Sequence, residues 1–275
     1  MTALGAIPGW GATWKVAHAS AAVVSPSGIV ETYGEQGREF RLASVTKLLS
    51  AAAIMLGVEE GAVGLDDAAG PPGATLRHLL AHAAGYGFES DAGVIAKVGT
   101  RRIYSNRGIE VAAEHLERSV SMPFAEYLQE GILEPLGMTR TRLPGSAAFA
   151  GFSTTEDLAR FAAELLTPQL LAPDTVRDMT SVHFPGLSGV LPGHGRFDPL
   201  DWGLGFEHSF SRPGHWGGSR VSPETSGHFG AAGTFLWVDP TARVACICLA
   251  DRDFGEWARK EWPALCDAVI VEYAG

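Results

Sequence analysis

A serine and a lysine stand three residues apart in the otherwise almost entirely apolar stretch "RLASVTKLLSAAAIML" at residues 41–56. In a helix, residues i and i+3 lie on one face, so the Ser44 hydroxyl and the Lys47 amine can come within hydrogen-bonding distance. An amine that burial keeps neutral can take the proton from a serine hydroxyl and make it a nucleophile. The pair therefore indicates nucleophilic catalysis, with Lys47 as the base or as the group that tunes another base.

Taken alone, Ser-x-x-Lys is a common pattern that also has a structural explanation. Ser44 could cap the helix while Lys47 extends its amine to the surface. Three features favour the chemical interpretation. The surroundings of the pair are apolar, and the chain has only four lysines in 275 residues. Ser44 also falls near the helix start, where free N–H groups favour negative charge on a bound oxygen.

The second motif is "YSN" at residues 104–106. A phenol close to an ammonium group should have a lowered pKa, and Tyr104 would then act as base toward Ser44 and as acid toward a leaving group. Asn106 can accept a hydrogen bond from Lys47 and donate one to a substrate carbonyl. The structural alternative is a core tyrosine followed by a Ser-Asn helix cap.

The third motif is "GHFGAAGTFLW" at residues 227–237. Gly230 in a strand marks a place where another backbone comes close. The N–H groups of Ala231 and Ser44 would form an oxyanion hole, in which a single donor is worth about a hundredfold or more in rate. The alternative is a glycine-rich strand that binds no ligand.

The three motifs follow one another as "SVTK" from residue 44, "YSN" from residue 104 and "HFG" from residue 228. In this order the chain resembles the serine β-lactamase and D,D-peptidase (penicillin-binding-protein-like) family, especially its class C-like and esterase branch. The resemblance covers most of the chain, including "TLRHLLAHAAGY", "EGILEPLGMTRT" and "GTFLWVDP". It implies Ser44 as nucleophile, Lys47 as general base or its modulator and Tyr104 as proton shuttle. The expected substrate-binding residues are Asn106, His228, Gly230 and Ala231.

His228 departs from the pattern of the lactamases and peptidases, which usually have a lysine there. A lysine suits the carboxylate of a penicillin or a peptide, whereas histidine is mostly neutral at pH 7. Many esterase-like members have H-x-G or W-x-G instead. The class A pattern S-D-N is absent, so a water activated by a glutamate is not expected. The sequence therefore favours a serine hydrolase that acts through an acyl-enzyme on small carboxylic esters.

Other functions stay open from the sequence. The first alternative is a β-lactamase or a D-amino-acid peptidase or amidase; the second is a penicillin-binding-like sensor or scaffold that does not turn over. No cofactor and no metal are expected. His78 and His82 have the i, i+4 spacing of zinc ligands, but H-E-x-x-H lacks its glutamate, so they are interpreted as ordinary helix histidines. No G-x-S-x-G, P-loop or G-x-G-x-x-G is present.

The three motifs must be positioned by helices and strands. Strand-like runs lie at both ends of the chain, and helical patterns lie between them. This predicts an α+β fold, in which a central antiparallel sheet from both termini is flanked by helices and carries an inserted, mostly helical lobe. The resemblance implies the same architecture. One domain is expected over 1–275, with an α/β lobe of about 1–57 plus 200–275 and a helical lobe of about 58–199. The first helix should stop at Gly57 and Gly61, and Ser153 with Glu156 has capping-box spacing.

The formal net charge of −10 argues against nucleic acid or an anionic membrane as a partner. No stretch is long and apolar enough to span a bilayer. The first 15 residues lack an early positive charge and are broken by Pro8, which is not typical of a signal peptide. The three cysteines are expected to be buried reduced thiols. We therefore expect a cytoplasmic enzyme whose partner is a small-molecule ester or amide; the oligomeric state is not indicated.

Overall fold

The computed structural model describes residues 3–5, 13–191, 193–208 and 214–274. In this part of the chain the strands are, in order, β1 (Ala19–Ser25), β2 (Gly28–Tyr33), β3 (Phe40–Arg41), β4 (Arg102–Ile103), β5 (Phe152–Ser153), β6 (Gly189–Leu191), β7 (Gly195–Phe197), β8 (Ser226–Gly230), β9 (Thr234–Asp239) and β10 (Val244–Ala250). One antiparallel sheet has the order β2-β1-β10-β9-β8, which joins both ends of the chain. Strand β3 pairs with β5, and β4, β6 and β7 form a small separate sheet.

Helices occupy the middle of the chain and its end. They are α1 (Thr46–Glu59), α2 (Leu76–Leu80), α3 (Asn106–Val120), α4 (Phe124–Leu128), α5 (Thr155–Leu166), α6 (Pro173–Thr180) and α7 (Glu256–Tyr273). A 3₁₀ turn (Ala43–Val45) precedes α1, and α4 continues as a π-helical turn (Gln129–Leu133). The predicted fold class is confirmed. The predicted division into two lobes stays a prediction.

Both faces of the large sheet are covered, because successive side chains of a strand point to opposite faces. In β10, the side chains of Ala245 and Ile247 join the core that includes α1 and α5. Those of Cys246 and Cys248 join a second core with α7, which contains Cys266. All three cysteines are free and buried, as the sequence predicts. The nearly continuous apolar run of β10 is therefore the consequence of burial on both sides.

Helix α1 passes through Gly57, so the prediction that it stops there is wrong. Gly57 is buried, and a Cβ at this position would lie 2.6 Å from Cδ1 of Leu116 in α3. The glycine thus permits two helices to come close together rather than ending one of them. Gly61, just past the end of α1, has a φ of +72°, which is the backbone conformation that favours glycine after a helix.

Helix α5 begins one residue later than the capping-box spacing predicts. The hydroxyl of Thr154, not that of Ser153, accepts a hydrogen bond from the N–H of Asp157 at 3.1 Å. Ser153 belongs to β5 and its hydroxyl is engaged with that of Thr141 at 2.7 Å. The short strand therefore takes the residue that the sequence pattern assigns to the cap.

The residues on which the signal-peptide prediction rests lie mostly outside the described part of the chain. Among the helices that the structure does describe, none has the length and apolar character needed to cross a membrane.

Replacing Thr154 with valine should lower the free energy of unfolding by about 1 kcal/mol, because it removes the cap of α5 while keeping the side-chain volume. Denaturant unfolding of the wild type and the variant at one pH measures this difference. Thr154→Ser keeps the hydroxyl and is the matched control. Equal losses in both variants would show that the methyl group, not the hydrogen bond, matters at this position.

Candidate active site

Lys47 is fully buried in the first turn of α1. Its amine donates to the Ser44 hydroxyl at 3.2 Å, to Oδ1 of Asn106 at 2.8 Å and to the carbonyl of Ala148 at 2.9 Å. It also lies 4.7 Å from the centre of the Tyr104 ring. The structure therefore brings the serine, lysine, tyrosine and asparagine of the first two motifs together around one amine.

Burial lowers the pKa of Lys47 from 10.5 to about 7, and the charge of Glu110 opposes this shift. A lysine in water is almost entirely charged at neutral pH, whereas this one is divided between its ammonium and amine forms. The amine form has a free electron pair and can accept a proton. The site therefore holds a base that is available near pH 7, next to the Ser44 hydroxyl.

A loop on the far side of Lys47 supplies its third acceptor. The N–H of Ala148 donates to the Ser146 hydroxyl at 3.1 Å, and that hydroxyl donates to Glu110 at 2.5 Å. The neighbouring carbonyl of Ala147 accepts from Ser50 of α1 at 2.7 Å. These bonds fix the loop against α1. The sequence analysis missed Ala148, because a backbone carbonyl leaves no signal in residue type.

Ser44 lies in the 3₁₀ turn before α1 and is partly exposed, although its neighbours in the turn are buried. It makes no side-chain cap: the residue before the helix is Val45, and no capping hydrogen bond is formed there. Ala43 has a φ of +46°, which is uncommon for a residue with a Cβ and is often found at functional sites. The strained turn leaves the Ser44 hydroxyl accessible.

Tyr104 is buried, and its hydroxyl has no hydrogen bond of good geometry within the described part of the chain. Burial raises the pKa of Tyr104 well above its usual value, and the nearby Ser44 hydroxyl lowers it by less. The prediction of a lowered pKa is therefore wrong. The ammonium of Lys47 was expected to lower this pKa, but Lys47 is only partly charged at neutral pH. Desolvation, which disfavours the phenolate, has the larger effect.

Asn106 is the first residue of α3, and the residue before it caps the helix. The Ser105 hydroxyl accepts from the N–H of Gly108 at 3.0 Å and donates to the carbonyl of Gly87 at 2.6 Å. The Ser-Asn cap considered as an alternative is thus present. It does not compete with the chemical interpretation, since the cap orients Asn106 toward Lys47.

Strand β8 lies against the turn that carries Ser44. A Cβ on Gly230 would stand 2.2 Å from the carbonyl oxygen of Leu42, and the Thr234 hydroxyl donates to that same oxygen at 2.8 Å. Ala231 follows the strand. Neither its N–H nor that of Ser44 donates a hydrogen bond to a described residue. Gly230 therefore marks a close backbone approach, as predicted, and both N–H groups remain available to an oxyanion.

His228 is buried in β8 with its ring 5.3 Å from that of Tyr104. Burial first, and then the charge of Lys47, lowers its pKa to about 3, while Glu207 opposes the shift. Neither ring nitrogen has a hydrogen-bond partner among the described residues. His228 is therefore neutral at pH 7 and supplies no positive charge at the position where peptidases have a lysine.

His82 is part of this site, so its interpretation as an ordinary helix histidine is wrong. Helix α2 ends at Leu80, and His82 has a φ of +56° that turns it inward. Its ring lies 4.8 Å from Tyr104 and 5.0 Å from Trp202, and its Nδ1 accepts from the N–H of Ser105 at 3.2 Å. Within the described ranges, no group of three His, Cys, Asp or Glu residues is placed to hold a metal ion.

The helices and the antiparallel sheet, with a serine and a buried lysine between them, define a β-lactamase/transpeptidase-like fold. The Beta-lactamase family model matches residues 19–268, and the chain belongs to this family of serine hydrolases. The resemblance inferred from the motifs is thus confirmed.

Solved structures agree with this assignment. A β-lactamase from Mycobacterium bovis is 50% identical over 100% of both chains, with a TM-score of 0.96. Simvastatin synthase from Aspergillus terreus is 16% identical over 98% of both chains, with a TM-score of 0.82. EstCE1, a hydrolase with promiscuous acyltransferase activity, is 16% identical over 98% of this chain and 97% of its own, with a TM-score of 0.78. The last two show likeness of fold alone. A comparison with curated proteins gives no match.

The buried Lys47 amine should make the protein more stable at high pH than at low pH. The pKa of this lysine is about 7 in the folded state against 10.5 as the ordinary value. Between these values the unfolded chain binds more protons, so the free energy of unfolding rises with pH. Denaturant unfolding of the wild type and Lys47→Met across this window measures the effect, and the wild-type-minus-variant difference should increase.

The same substitution at Lys97, an exposed lysine, controls for the removal of a positive charge. A wild-type-minus-Lys47→Met difference that stays flat with pH would contradict the lowered pKa.

Proposed function

We propose that this protein hydrolyses small carboxylic esters through an acyl-enzyme on Ser44. The observation that carries the proposal is the Lys47 amine, which is buried, has a pKa of about 7 and lies 3.2 Å from the Ser44 hydroxyl. A base poised near the working pH is what nucleophilic catalysis by a serine requires.

In the acylation step, neutral Lys47 takes the Ser44 proton while the serine oxygen attacks the ester carbonyl carbon. The negative charge that develops on the carbonyl oxygen is held by the N–H groups of Ser44 and Ala231. When the carbon–oxygen bond to the alcohol breaks, the Tyr104 hydroxyl gives its proton to the departing oxygen and recovers one from Lys47. The raised pKa of Tyr104 keeps it protonated, which suits this relay rather than the role of base.

Deacylation reverses the same proton path. A water molecule attacks the acyl carbon and gives its proton to Tyr104, which passes its own proton to Lys47, neutral again after acylation. The bond between the acyl carbon and the serine oxygen breaks, and Ser44 recovers a proton from the lysine. The carboxylic acid leaves, and the enzyme returns to its starting state. Asn106 holds Lys47 in place throughout, through the bond at 2.8 Å.

A β-lactamase is the second candidate, because the structure that is 50% identical carries that name. The neutral His228 counts against it, since a penicillin carboxylate near β8 would meet no positive charge there. A D-amino-acid peptidase or amidase meets the same objection. A non-turnover sensor or scaffold is the third candidate. It would use the same nucleophile but would stop at the acyl-enzyme.

The partner we propose is a small-molecule ester. The cytoplasmic location stays a prediction, supported by three free buried cysteines, since thiols persist in reducing compartments. Cell fractionation with an antibody against the protein tests it.

The wild type should hydrolyse p-nitrophenyl butyrate with many turnovers, and Ser44→Ala should fall to the background rate because the nucleophile is lost. Release of nitrophenol measures both. A chromogenic cephalosporin run alongside should show little turnover.

Efficient cleavage of the cephalosporin would favour the β-lactamase. A single burst without turnover would favour the sensor or scaffold, and equal rates in both proteins would refute the assignment of Ser44.

The value of kcat/KM for the ester should rise with pH and reach half its maximum near pH 7, because Lys47 must lose its proton before it can act as base. Steady-state rates across the pH range measure the midpoint. If the phenolate of Tyr104 were the base, the rise would instead lie far above neutrality.

Tyr104→Phe should reduce kcat/KM by about 10²- to 10⁴-fold for an ethyl ester, whose alkoxide must be protonated as it leaves. The loss should be much smaller for a p-nitrophenyl ester, because nitrophenolate leaves without a proton. Parallel assays of the two esters measure the contrast. Equal losses on both would show that the hydroxyl acts before the leaving group departs.

A further inference from the structure

A cavity of about 360 Å³ lies beside Tyr104, on one face of the small sheet. Ile103 of β4 pairs with Val190 of β6, which pairs in turn with Arg196 of β7. Arg101 directly precedes β4. All four residues line the cavity. The three short strands and the residue before β4 therefore bring two arginines and two apolar residues to one cavity.

This surface is continuous with the site through two aromatic rings. Phe88 and Tyr104 both line the cavity, and their rings stack with centroids 5.7 Å apart. On its other side the Tyr104 ring lies 4.7 Å from the Lys47 amine, which donates to the Ser44 hydroxyl at 3.2 Å. Tyr104 therefore borders both the cavity and the Ser44 site.

The two arginines are available to a ligand. Arg101 and Arg196 are exposed, and neither forms an ion pair or a side-chain hydrogen bond with a described residue. No described aspartate or glutamate lines this cavity. Arg102 differs, because it is buried and donates to the carbonyls of Leu200 and His183. In a chain of net charge −10, two unpaired guanidinium groups make one local positive region.

The rim of the cavity is apolar. Phe88, Ile95 and Val190 line it and are 42%, 69% and 56% exposed. Exposed apolar groups that lie together mark a binding surface. With two guanidinium groups, which bind carboxylates through paired N–H donors, the surface fits a molecule with an apolar body and an anionic end.

We propose that Arg101 and Arg196 select esters that carry a carboxylate on an apolar body. The inference rests on the proposed ester hydrolysis and names its substrate class. The carboxylate lies on the two guanidinium groups, the apolar part lies against Phe88, Ile95 and Val190, and the ester carbonyl reaches Ser44.

The test compares 3-(butanoyloxy)benzoate with its neutral amide, 3-(butanoyloxy)benzamide, by release of the phenol. The wild type should prefer the benzoate, and the ratio of kcat/KM for the two esters should fall at least about tenfold in Arg101→Gln/Arg196→Gln, mainly through KM. Hydrolysis of the amide-bearing ester should be unchanged. Arg118→Gln removes an exposed arginine from the last turn of α3 and should leave the ratio unaltered. An unchanged ratio in the double variant overturns the inference.

A binding measurement separates this inference from the proposed function. Calorimetric titration of intact 3-(butanoyloxy)benzoate into Ser44→Ala needs no turnover. The arginine substitutions made in that background should weaken Kd by a similar factor, and added salt should weaken it in the parent. If the wild type hydrolyses neither ester, the proposed function fails while this titration still decides the role of the arginines. If turnover is normal and Kd does not depend on the arginines, only the substrate class is wrong.

Discussion

The burial of one amine under a partly exposed serine is the constraint on which the rest of the site depends. An ammonium group taken out of water is costly unless it is paired or neutral. Here the cost is limited by acceptors on Ser44, Asn106 and Ala148, the last two lying 59 and 101 residues away in the chain. Because these come from separate segments, the base is formed only when the fold is complete. Glu110 keeps the pKa from falling further, so that the amine can both accept and return a proton.

The turn that carries Ser44 is also fixed by contacts with distant parts of the chain. The Leu42 carbonyl is fixed by Thr234 of β9, and Gly230 of β8 leaves room for that carbonyl to come close. The left-handed backbone of Ala43 is tolerated because the sheet fixes the residue before it. The large sheet thus separates two cores and also holds the turn that carries Ser44 against β8, the strand that Ala231 follows. A fold that joins both chain ends in one sheet is well suited to this task.

Contacts between residues that are close in sequence could be predicted from their spacing. The i, i+3 relation of Ser44 and Lys47 and the cap at Ser105 both follow from residues close in sequence. The direction of the pKa shift of Tyr104 could not be predicted, because it depends on burial by residues distant in sequence, such as His82 and Trp202. The role of Ala148 could not be predicted either, because every residue has a backbone carbonyl and its residue type does not show that this one binds Lys47. Motif order identified the family, but it did not show which of two coupled groups is the base.

The desolvation that tunes Lys47 also explains the neutrality of its neighbours. The burial that lowers the pKa of Lys47 to about 7 also lowers the pKa of His228 to about 3, so this residue of β8 carries no charge at neutral pH. A second positive charge near the lysine would lower its pKa further and weaken its hold on the proton that it must carry between Ser44 and Tyr104. In this chain β8 therefore offers no charged partner to an anion. The exposed guanidinium groups on the small sheet can take that role, since solvent screens them from Lys47 while they line the cavity beside Tyr104.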